Sequence, residues 1–228
     1  MTLASLTGHL LASLFAVAQL LRHPRPIHPH GVALVGTLRF LTHSAPSGVT
    51  FIDRPGAAEL RVTARLSRSL GTPAPFPDVV GLALRFDTEN GPADVLMAST
   101  GFGVPSRFWL APQRSPSRVR FTTLFPYRSE RDPVLLGART IAPADLPSAP
   151  DAVAAALEQT TWRLHLYHAT PLGRWHPFAV LELGRVPGPT DTLDRFDPVR
   201  HRLPGAQNYR WTERLRAPSY AHVQGDTS

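Results

Sequence analysis

Three short stretches of this sequence carry side chains whose types and spacing could do chemistry. In Arg25-Pro26-Ile27-His28-Pro29-His30-Gly31, two histidines flank a proline just ahead of an apolar run. Histidine is the side chain whose ordinary pKa lets it take up and return a proton near neutral pH. Arg65 and Ser67 stand two apart in an alternating segment, so a strand would put both on one face. Arg216 and Tyr220 stand four apart, so a helix would put both on one side. Arginine offers a planar fork of donors that grips a carboxylate through two parallel hydrogen bonds. His28 and His30 could ligate a metal together, but no third ligand stands at a metal-site spacing. Asp78, Asp87, Asp94 and Glu182 show no spacing that dictates pairing. No dinucleotide fingerprint, P-loop, HExxH or GxSxG motif occurs. Cysteine is absent, which excludes disulfides, thiolate metal sites and a cysteine nucleophile.

These residues need elements to position them. Val32 to Phe40 reads as a strand following Pro24 and Pro26, which end any preceding helix. Residues 44–57 form a turn-rich connection. Glu59 to Ser67 alternates apolar and polar residues: Leu60, Val62, Ala64 and Leu66 share one face, and Arg61, Arg65 and Ser67 share the other. A proline loop, 71–78, precedes two strands, 79–86 and 93–98, joined by the turn signal Glu89-Asn90-Gly91. Residues 105–112 predict a short helix that brings Phe108, Trp109 and Leu110 to the core, and 118–124 another strand. Residues 150–159 predict a helix, with Pro and Asp at its start. Residues 161–169 and 175–184 predict a second antiparallel pair. The tail ends in a predicted C-terminal helix, 207–223.

The N-terminal segment 1–22 reads as a helix over 3–22, packed on the domain. His9 and Gln19 interrupt it, and a membrane span wants about 20 clean apolar residues. Membrane association through 3–22 is therefore not favoured. Nor does any Lys or Arg precede the apolar stretch, as a signal peptide would require.

The chain has 228 residues, 43% of them hydrophobic, enough for one β-barrel domain spanning 1–228. The expected class is α+β, mainly β: an antiparallel barrel with peripheral helices, since no repeating βα alternation is present. The net charge is +7, and the sequence lacks lysine, so all 24 cations are arginine. They are scattered, so a specific nucleic-acid partner is not expected. A cytoplasmic protein fits this composition.

Taken together, the stretches resemble the haem catalases. Arg25 to Gly31, with Gly36 five residues on, is similar to that family's distal histidine segment. Arg65-Leu66-Ser67 resembles its Arg-Phe-Ser. Asp78-Val79-Val80-Gly81-Leu82-Ala83-Leu84-Arg85-Phe86, then Asp94-Val95-Leu96, resembles its Asp-Pro-Arg-Gly-Phe-Ala-Val-Lys-Phe and Asp-Leu-Val. Arg216-Ala217-Pro218-Ser219-Tyr220 fits the Arg-x-x-x-Tyr of the proximal iron ligand. The resemblance implies a minimal catalase-like core that binds haem b and its iron.

On this resemblance Tyr220 would be the iron ligand, as tyrosinate is in catalases. Arg216 would favour the phenolate of a side chain whose free pKa is about 10. Arg25 and Arg65 would hold haem propionates. Ser67 would fix the tautomer of His28, and His28 would carry a proton between the two peroxide oxygens. Where catalases have a distal asparagine, this chain has Ala98 and Ser99, so that donor would be missing or replaced by the Ser99 hydroxyl. That moves the expected activity from fast catalase turnover toward a peroxidase- or peroxygenase-type oxidoreductase. Its substrate would be hydrogen peroxide or an organic hydroperoxide, with an electron donor as partner. Rearrangement of hydroperoxides, as in catalase-related allene oxide synthases, belongs to the same expectation. The alternative is a non-enzymatic haem or lipid carrier on the same barrel. The reading admits a homodimer.

Overall fold

The computed structural model describes residues 31–185, 188–192 and 194–212. In chain order the strands are β1 (Gly31–Phe40), β2 (Glu59–Arg68), β3 (Val80–Thr88), β4 (Gly91–Thr100), β5 (Arg120–Thr122), β6 (Tyr127–Arg128), β7 (Pro133–Ala142), β8 (Trp162–Ala169) and β9 (His176–Arg185). Two helices, α1 (Thr50–Asp53) and α2 (Pro150–Gln159), accompany them. Strand neighbours run β5-β4-β3-β2-β1-β9-β8-β7, and β5 pairs with β7. Eight antiparallel strands thus close into a barrel, while β6 adds a short edge to β7. Closure removes the unpaired edges that an open sheet would present.

The pleat decides what fills the barrel. Val62, Ala64 and Leu66 of β2, Leu82, Leu84 and Phe86 of β3, and Val95 and Met97 of β4 are all buried. They alternate with residues on the outer face. Trp162, Phe86, Phe121 and Phe178 are the largest fully buried side chains. An eight-stranded barrel is narrow enough for side chains to fill, and here the buried residues of the strands join in one core cluster. Phe121 meets Trp162 edge to face at 6.1 Å. The Trp162 indole N–H donates to the Thr140 hydroxyl at 2.9 Å, so the largest ring is buried with its polar atom satisfied. Gly36 sits where β9 crosses β1 closely, and a Cβ there would collide with the Glu182 carbonyl.

Each end of the barrel is plugged. α1 seats Phe51 against Phe40 and Phe86, with ring centroids 5.3 and 5.1 Å apart. At the other end α2 buries Val153, Ala154 and Leu157. Val153 comes together with Val32, Leu66 and Val80 there. Pro150 begins α2 at a position where its missing N–H costs nothing.

The predicted strands at the start of β1, in β2, β3, β4, β8 and β9 all form, as do the hairpin turn at Glu89-Asn90 and helix α2. Three expectations are corrected. Residues 105–112 hold only a 3-10 turn at Ser106–Phe108, and its buried side chain is Arg107, not Phe108, Trp109 or Leu110. Arg107 donates to the carbonyls of Phe102, Thr170 and Gly173 and lies 4.8 Å over the Trp175 ring. Three loop carbonyls and an aromatic face suit a guanidinium better than a core leucine would. The strand expected at 118–124 shrinks to the three residues of β5. β7, unpredicted, is the strand that closes the barrel. The predicted helix 3–22 lies outside the described residues, as does all of 207–223 beyond Thr212; residues 210–212 form a helical turn. Among the described residues no helix is long and apolar enough to cross a membrane.

Candidate functional site on the outer barrel face

Because β1 and β2 are antiparallel, Gly31 lies opposite Ser67 and Ala33 opposite Arg65. The register continues through β3 and β4 as Ser67, Gly81, Ala98 and as Arg65, Ala83, Leu96. Cross-strand partners share a face. The outer face near the α2 end is therefore paved with small side chains, with Arg65 and Ser67 standing among them. The two were expected together from their spacing, and the structure brings them together.

Arg65 is not solvated. Its Nε and one Nη each donate to the Asp191 carboxylate at 2.6 Å, a bidentate clamp. The carboxylate also accepts from the backbone N–H groups of Gly31 and Thr192, both at 2.8 Å. Burial pushes the Asp191 carboxyl up, but Arg65 and the two N–H groups outweigh it and hold the pKa below the ordinary carboxylate value. A side chain at Gly31 would have to displace Arg65: a Cβ would lie 2.8 Å from its guanidinium carbon. Sequence reasoning missed Asp191, which lies 126 residues from Arg65 in an irregular segment with no motif. Gly31, Thr190 and Asp191 also line an open cleft of about 340 Å³, shared with Arg68, Thr72 and Asp151.

Ser99 is not part of this group. It faces inward opposite Phe121, is fully buried, and accepts the Val80 backbone N–H at 3.0 Å. Ala98, one residue earlier, takes the outer position. Arg25, His28, His30, Arg216 and Tyr220 lie outside the described residues. Among the described residues no three His, Cys, Asp or Glu side chains gather as a metal site.

No protein-family model matches the sequence, and no curated protein matches it either. Solved structures do. A bacterial catalase superposes with a TM-score of 0.59 at 16% identity, covering 94% of this chain and 59% of its own. A fungal catalase gives 0.59 at 15% identity, covering 93% and 62%. The fold is catalase-like. The chain spans about three-fifths of the length of these two catalases.

Two further buried carboxylates organise this catalase-like barrel around the site, and spacing alone revealed neither. Asp94 on β4 accepts two hydrogen bonds from Arg85 at 2.8 Å, one from His201 Nδ1 at 2.8 Å and one from the Asp197 N–H at 2.7 Å. Burial raises its pKa, and these donors more than reverse the shift. Arg85 also donates to the Arg195 carbonyl and lies 5.1 Å from the Phe196 ring centroid. The cluster pins residues 195–201, which lead into the tail, onto the outer face of β3 and β4. Asp78 takes the N–H groups of Leu70 and Thr72 and the Thr72 hydroxyl, which shapes the proline loop beside the cleft. Arg68, 3.6 Å from Asp78, donates to the Thr72, Phe76 and Ser148 carbonyls and ties that loop to the start of α2.

Proposed function

We propose that this catalase-like chain binds haem b at the Arg65–Ser67 face and reduces or rearranges hydroperoxides there. One observation carries the reading. Arg65 and Ser67 stand side by side on the outer face next to Gly31, three residues after His28 in sequence, on a barrel similar to those of catalases. The donor set fits the group: Arg65 already holds a carboxylate through both arms of its fork, the arrangement a propionate would need.

Haem iron, when bound, would supply the chemistry that breaks the peroxide O–O bond. The protein's own residues would do the rest. Arg65 and Arg25 would hold the propionates. Tyr220 would hold the iron, its phenolate favoured by the charge of Arg216. Ser67 would orient the His28 imidazole. His28 would take a proton from one peroxide oxygen and deliver it to the other.

Titration of the purified protein with hemin, followed by absorption, tests this. A ferric-tyrosinate spectrum lost in Tyr220→Phe is expected. His28→Ala should lower peroxide turnover by about 10²–10⁴-fold, the usual worth of a positioned acid–base. Unchanged turnover in His28→Ala would refute the enzyme, and no haem uptake would refute haem binding altogether.

One observation favours a second reading, a haem or lipid carrier without turnover. The outer row Gly31, Ser67, Gly81, Ala98 contains one hydroxyl and no amide to hold a peroxide. Hemin uptake with peroxide turnover no faster than free hemin would establish it.

A further inference from the structure

The clamp around Asp191 is a complete binding site for a carboxylate, and the protein fills it with its own. Three donors converge from the barrel: Nε and Nη of Arg65, each at 2.6 Å, and the Gly31 N–H at 2.8 Å. They belong to β1 and β2, whose register is fixed by strand pairing. Asp191 belongs to the 188–192 segment, which is part of no helix or strand. The Thr190 carbonyl accepts the Ala33 N–H, and Arg185 donates to the Gly188 and Pro189 carbonyls. The absence of a side chain at Gly31 lets the guanidinium lie flat against the backbone. Gly31 and Asp191 both border the 340 Å³ cleft, so a carboxylate entering from it would meet the Gly31 N–H and, in place of Asp191, the guanidinium of Arg65 behind it.

We propose that Asp191 is an internal latch: it occupies a site on Arg65 and Gly31 built for the carboxylate of a small ligand, and it swings out when that carboxylate binds. The ligand class is a carboxylate on an apolar body, since small apolar side chains flank the clamp. A porphyrin propionate and a fatty acid share this chemistry. The exchange swaps one anion for another, so Arg65 is never left buried without a counter-charge. The latch deepens the haem reading if the ligand is a porphyrin, and stands without it if the ligand is a fatty acid.

The test compares the full chain with Asp191→Asn, which keeps the shape and removes the competing charge. Hemin, hemin dimethyl ester and laurate are the probes, with dissociation constants from absorption or calorimetry. Asp191→Asn should bind hemin or laurate at least tenfold more tightly and leave the dimethyl ester unchanged. A second measurement needs no variant. The ¹³C carboxyl resonance of Asp191 should titrate below the ordinary carboxylate value in the free protein and move back up toward it when ligand is saturating. Laurate uptake that depends on Asp191, without hemin uptake, keeps the latch and ends the haem reading. Hemin uptake indifferent to Asp191→Asn, with the carboxyl titration unmoved, overturns the latch and keeps the haem reading. Failure of both proteins to bind either carboxylate overturns the latch, as does an equal gain for the dimethyl ester.

Discussion

Replacing Asp94 with alanine removes the centre of the cluster that fixes the tail. Asp94 is fully buried and Arg85 keeps 21% side-chain exposure. Breaking a buried pair by deleting one partner costs about 3–5 kcal/mol, because the other charge stays buried. Water reaches Arg85 in part, which sets the expectation at the lower end, about 3 kcal/mol. For a chain of this size that lowers the melting midpoint by roughly 6–12 °C. The cost has two components that one further variant separates. In Asp94→Leu/Arg85→Met the stranded charge is gone, so stability should return to within about 1 kcal/mol of wild type. The Asp197 N–H and His201 still lose their acceptor, so residues 195–201 stay loosened. Urea denaturation reads the first component, and the rate of tryptic cleavage at Arg195 and Arg200 reads the second. The reasoning fails if Asp94→Ala costs less than about 1 kcal/mol, if the double variant is no more stable than the single, or if tail cleavage is unchanged in both.

Gly31→Ala should push the Arg65 guanidinium off Asp191, since the new Cβ would sit 2.8 Å from it. The Asp191 pKa should then rise toward its ordinary value, measured by carboxyl NMR. Phe121→Ala should cost about 3–5 kcal/mol, because it opens a cavity against Trp162 in the three-residue strand that closes the barrel; urea unfolding measures it. His168 is buried, with Nε2 2.9 Å from the Ala45 carbonyl and its ring stacked on His176. Burial lowers its pKa, and the nearby His176 adds to the shift against the opposing pull of the Ala45 hydrogen bond and Asp53. The unfolded chain therefore binds a proton that the folded chain resists, so stability present above about pH 6.5 is lost as pH falls below it. His168→Gln should flatten the stability difference between pH 7 and pH 5, read from urea midpoints, and an unchanged slope would count against it.

What the sequence made legible follows the pleat. β2 alternates cleanly because one face meets the core and the other meets small residues, so the pairing of Arg65 with Ser67 could be read from their spacing. β7 escaped because Val134 to Ala138 is buried on both sides, which erases the two-residue period. One side fills the barrel, and on the other Trp175 covers Gly137. A run of apolar residues containing glycine carries no periodic signal. Parity also separates the expected Ser99 from its neighbours: a shift of one residue along a strand reverses the side chain's direction. Similarity of motif order located the segment but not which of Ala98 and Ser99 looks outward. Asp191 was illegible for another reason. A carboxylate recruited from a distant irregular segment leaves no local pattern, and only the closed register of β1 and β2 shows what it reaches.

The packed interior has a consequence for how this protein can change. Because buried side chains from around the barrel meet in one core, strand positions divide into two inheritances. Along β2, even-numbered residues from 62 to 66 face the core, and odd-numbered residues from 61 to 67 face away from it. A saturation library across that strand would show tolerance and intolerance alternating residue by residue. A lineage could rewrite the outer code, exchanging one ligand for another, without disturbing a single contact in the core.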